Sequence, residues 1–201
     1  MRVVECGVPD DSALSRAVIQ AADFRDSYRA PLLRRELAIV EIFFALFGHA
    51  PAYMKLLLIA RNAVASLAGL EAPTVAEIMN PDVKCTYAVG DKIGPWPIFA
   101  ITDREIVAGR DNKHMDFRLS VLKQAEGDPA SVTVSTICTV HNVYGRVYLF
   151  CIVPFHRFGV KDLIARAVAE GTPVRSKRQL NVSSTARPTH EGIDCRGATA
   201  R

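Results

Sequence analysis

The sequence predicts an α+β fold, an antiparallel β-sheet wrapped around a long C-terminal helix, and three observations carry that prediction. Residues 97–153 break into short segments of period two, separated by turn residues. Their connections are too short for crossovers, so the strands form an antiparallel meander. From Pro154 the apolar period becomes helical, with Phe158, Leu163 and Ala167 flanked by Val160, Ile164 and Val168.

The elements follow in order. Pro9, Asp10, Asp11 and Ser12 supply helix-start chemistry for a short first helix over 13–22. Residues 23–32 alternate as a strand that ends near Pro31, since proline cannot donate to a ladder. A helix over 36–47 has Glu36 in its first turn and Gly48 as terminator. A second helix starts with Pro51 in its first turn and closes at Gly69. Residues 70–95 hold Pro73, Pro81, Gly90, Gly94 and Pro95, the signature of an irregular connection or a lid. Strands are then expected over 97–102, 105–109, 114–123, 131–141 and 146–153, and the last helix over 154–171.

Composition sets the boundaries. The 201 residues are 49% hydrophobic and 23% charged, which suits one globular domain over 1–171. Residues 172–201 lack periodic apolar residues and are expected to be a basic, disordered tail. Six of the 25 basic and two of the 21 acidic residues lie in that tail, leaving 19 of each in 1–171. Such a balance argues against phosphate-dominated nucleic-acid binding. The longest uncharged apolar stretch, 42–54, is too short to span a membrane, a crossing that takes about 20 residues. Five cysteines without a CxxC or a Cys/His cluster suit a reducing cytoplasm and imply no metal.

Strand, two helices, an antiparallel meander and a long C-terminal helix is the element order of the helix-grip, or START-like, fold. There the sheet often leaves an apolar cavity against the last helix. Residues 23–32, 46–51, 116–121, 141–148 and 154–157 also resemble, in that order, the DUF2867 family, a bacterial group of unassigned function. The resemblance runs over about 9–170. It implies no catalytic residues. Relatives behind a short-chain-dehydrogenase-like domain suggest a separately encoded oxidoreductase as partner. The chain has no GxGxxG after a strand, and no cofactor is implied.

The chemical candidates centre on the strand at 114–122. Met115, Phe117, Leu119 and Val121 point one way; His114, Asp116, Arg118 and Ser120 point the other. Either the apolar row packs on the last helix, or the polar row faces a cavity there. In the second case His114, Asp116 and Arg118 would grip a ligand anion, with Arg118 as the bidentate anchor. Trp96, Phe117, Phe150 and Phe158 would supply an apolar lining and His141 a further polar group. No nucleophile elbow, P-loop or HExxH appears. The leading expectation is a module binding a small hydrophobic or amphipathic ligand between sheet and helix. The alternatives are an enzyme of lyase, cyclase or hydrolase type with His114 or His141 as acid or base, and an accessory domain for the oxidoreductase.

Overall fold

A computed structural model describes residues 2–48, 84, 86–127 and 129–170. Seven strands form one open antiparallel sheet: β1 (Val4–Glu5), β2 (Phe24–Pro31), β3 (Lys92–Ile93), β4 (Trp96–Ile101), β5 (Glu105–Arg110), β6 (Met115–Gln124) and β7 (Ser131–Val140). Their order is β1-β2-β7-β6-β5-β4-β3. Three helices are described: α1 (Arg16–Gln20), α2 (Ile39–Phe47) and the C-terminal α3 (Val143–Glu170). This is the expected α+β class in a helix-grip-like arrangement. The expected helix over 51–68, residues 70–83 of the candidate lid and the tail lie outside the described residues.

Strand register assigns each side chain to a face. Tyr28 pairs with Val134, Val134 with Val121, and Val121 with Ile106. All four are buried and belong to one core with Ile42 and Phe43 of α2 and Val160 and Ile164 of α3. Phe117 and Leu119 stand on this helix-covered face. The offset row points to the opposite face, where Val107 and Ile137 pack under Leu14, Val18 and Ile19. Both faces are therefore partly covered, one by α2 and α3 and the other by the N-terminal segment. The apolar row of β6 faces the helices.

Caps fix the helix starts. Ser15, not Ser12, caps α1 by accepting a bond from the Val18 N–H. Ser12 instead donates to Glu105 Oε1 at 2.6 Å, which ties the N-terminus to β5. At α2 the Glu41 carboxylate accepts the Ala38 N–H at 2.8 Å, half of a capping box.

The main departure from expectation concerns residues 146–153, which are helical and not a strand. Asn142 starts α3 eleven residues early, with its Oδ1 accepting the Gly145 N–H at 3.2 Å. An apolar run such as Val147 to Val153 fits a buried strand or a helix equally, so periodicity alone could not separate them. Gly145 lets the first turn of α3 touch β6, since a Cβ there would collide with the His114 carbonyl oxygen. Pro154 then sits inside α3 rather than at its start. Its missing N–H breaks one helical bond, which packing of the neighbouring turns offsets.

Candidate functional site

The polar row of β6 is divided among three separate partners. Arg118 forms a bidentate pair with Asp111 from the β5–β6 turn, its Nη2 reaching Asp111 Oδ2 at 3.0 Å. Its guanidinium also lies 3.6 Å from the centre of the Phe99 ring. Asp116 pairs with His141 Nε2 at 3.0 Å on the surface. His114 is buried, and its Nδ1 donates to Asn142 Oδ1 at 3.0 Å while its ring meets Tyr144 edge-on. These residues do not gather into one grip. Arg118 faces away from α3 and already has its anion.

The aromatic candidates separate as well. Trp96 and Phe117 come together at 6.3 Å, packed with Phe43 and Phe47 of α2. Phe150 and Phe158 are 82% and 65% exposed on the outer side of α3. The inward positions belong to Leu149, Val160 and Ile164. Between sheet and helices the described residues are closely packed, with Tyr28, Ile106, Val121 and Ile164 at 1% exposure or less. A cleft of about 60 Å³ between α2, the end of α3 and the Pro31 end of β2 is too small for the expected ligand.

Under α3 lies a polar cluster that sequence reasoning missed. The Asp26 carboxylate, buried on β2, accepts from Tyr28 Oη at 3.1 Å and from His156 Nε2 at 3.3 Å. Burial first, and then the negative charge of Asp26 and its bond to the phenol, push the Tyr28 hydroxyl well above its usual range. Acid–base groups meet here, but Tyr28 and the Asp26 carboxylate are sealed from solvent. The arrangement ties α3 to the sheet.

The space that can take a ligand is on the opposite face. An open groove of about 850 Å³ runs between β1, the Pro31 end of β2 and the β6–β7 turn. Val4, Ala30, Pro31, Ala125 and Pro129 contribute apolar surface. Among the described residues Arg2, Arg29 and Arg104 contribute three cations against one acid, Glu126. Among the described residues none of the three arginines has an ion pair or side-chain hydrogen bond. Register explains the setting: Arg29 pairs with Val4 and with Thr133, which turns its side chain away from the helices. Gln124 and Ser131, bonded to each other at 3.3 Å, add polar groups to the wall. Such a groove can hold a carboxylate or phosphate beside an apolar body. The arginines come from three distant positions in the chain, and no local motif announces them.

Among the described residues no group of His, Cys, Asp and Glu could hold a metal, and no helix is long and apolar enough to cross a membrane. A family model described as "Protein of unknown function (DUF2867)" matches residues 18–163. No curated protein and no solved structure matches the chain.

Proposed function

The chain belongs to the DUF2867 family, and from that starting point we propose that it binds a small amphipathic anion in the arginine-lined groove. One observation supports this reading: Arg2, Arg29 and Arg104 border an open space with apolar surface and form no ion pair among the described residues. Unpaired cations normally sit in free solvent, apart from one another. Three around one concavity favour an anionic guest. The volume falls within the range of about 300–1,000 Å³ usual for small-molecule sites, which also combine apolar walls with a few placed polar groups. The ligand class is the one expected from the sequence; the place is the sheet's other face.

Calorimetric titration of the full chain with decanoate and with decyl phosphate tests the proposal. Both should bind, more weakly as salt rises, because exposed charges are screened. Arg29→Met should weaken binding by about 1.5 kcal/mol, roughly tenfold, the scale of one charge-assisted hydrogen bond. Arg118→Met serves as the control, since its guanidinium is held by Asp111 outside the groove. Equal affinities in the wild type and Arg29→Met, or no binding of either probe, would remove the proposal.

A further inference from the structure

The outer side of α3 is unusually apolar. Val143, Tyr144, Val147, Phe150, Phe155 and Phe158 are 58–82% exposed. Positions 143, 147, 150, 154 and 158 step by four, three, four and four residues, the spacing of a single helical face. At 1.5 Å per residue the stripe runs about 24 Å, or four turns. Monomeric proteins seldom leave so continuous an apolar patch in water.

The charges beside the stripe restrict what can cover it. Residues 143–161 contain no Asp or Glu, while Arg146, Arg157 and Lys161 are basic. Arg146 is 78% exposed, with Asp23 as its acidic neighbour at 4.0 Å. Arg157 lies over the Phe24 ring, 5.7 Å from its centre, and forms no ion pair among the described residues. These two arginines are eleven residues apart, three helical turns, and so follow the same edge of the stripe.

We infer that the outer face of α3 docks an amphipathic helix of a partner protein, apolar at its a and d positions and acidic along one edge. The four-three-four stepping from 143 to 154 is the pattern that facing helices interlock. The single basic edge favours acids on the partner. An antiparallel second copy of the 143–161 stripe would bring no acid to that edge and would place like charges together. A lipid surface would suit a helix with basic residues on both flanks of its apolar face, whereas here the other flank is Tyr144 and Phe155.

Fluorescence anisotropy with two synthetic helical peptides tests this on the full chain. Both carry Leu at a and d; one has Glu along one edge, the other Lys. The wild type should prefer the Glu peptide by at least roughly tenfold, and Phe150→Ser should weaken that binding by a similar factor. Arg146→Glu/Arg157→Glu should reverse the preference. All of these positions are exposed, so circular dichroism melts should show the variants folded. Equal binding of the two peptides, or none, overturns the inference. So does Phe150-dependent binding to phosphatidylserine vesicles, or Phe150-dependent dimerisation in sedimentation, without peptide binding.

Discussion

Asp26→Ala should lower unfolding stability by about 3–5 kcal/mol in urea titration, the usual cost of removing one partner of a buried pair. Two donors lose their acceptor at once, the Tyr28 hydroxyl and His156 Nε2. The hydroxyl lies in a wholly buried residue and cannot turn to water. Each orphaned group costs about 1–3 kcal/mol. Tyr28→Phe removes only the donating hydroxyl and leaves Asp26 its bond from His156, so its cost should be nearer 1 kcal/mol. The same cluster makes stability depend on alkaline pH. The folded chain holds the Tyr28 proton well above the phenol's usual range, while the unfolded chain releases it near pH ~10. Stability is then complete below pH ~10 and falls as pH rises beyond it. Tyr28→Phe should flatten that decline. A loss below about 1 kcal/mol for Asp26→Ala would mean that the cluster does not hold α3 on the sheet.

Glu105→Ala should cost about 3 kcal/mol and loosen the N-terminal segment selectively. The buried Glu105 carboxylate accepts from Ser12 Oγ at 2.6 Å, from the Ala13 N–H at 2.5 Å and from Ser120 Oγ at 2.5 Å. Two of these donors belong to the segment that carries Leu14 onto Val107 and Ile137. Without the carboxylate, three donors compete for water beneath a small apolar cluster. Trypsin should then cut early at Arg16, and amides of Leu14 to Gln20 should exchange faster than those of β6. Glu105→Gln keeps an acceptor oxygen and should be milder. Unchanged proteolysis at Arg16 would show that Leu14 alone anchors the segment.

Local periodicity made most of the sheet legible. Strict alternation from His114 to Leu122 and the β-branched run from Ser131 gave β6 and β7 within a residue or two. Pro31 marked the end of β2, and Gly48 that of α2. The start of α3 was not legible, because Val147 to Val153 is apolar throughout and Pro154 looks like a first-turn proline. That one boundary decided much of the site. Phe150 was assigned to a strand and Phe158 to the helix after it, so their place on one outer helical face was not legible; the inward positions went to Leu149, Val160 and Ile164. Asp26 and Tyr28 share a strand face by simple alternation, yet His156, which bonds Asp26, lies 130 residues later. The groove was hidden for a similar reason. Arg2 joins Arg29 at the groove because β1 adds to the sheet edge, Arg104 comes from the distant β4–β5 turn, and a two-residue strand leaves no periodic trace.

The most direct measurement is a two-dimensional ¹H–¹⁵N spectrum of the full chain during titration with decyl phosphate. If the groove is the site, the largest shifts fall on the amides of Val4, Arg29, Ala30, Arg104, Gln124, Ala125 and Ser131, and they vanish in Arg29→Met. Shifts centred instead on Leu37, Ile42, Leu46 and Val168, or shifts that persist unchanged in Arg29→Met, would place the ligand beneath the helices and contradict the account.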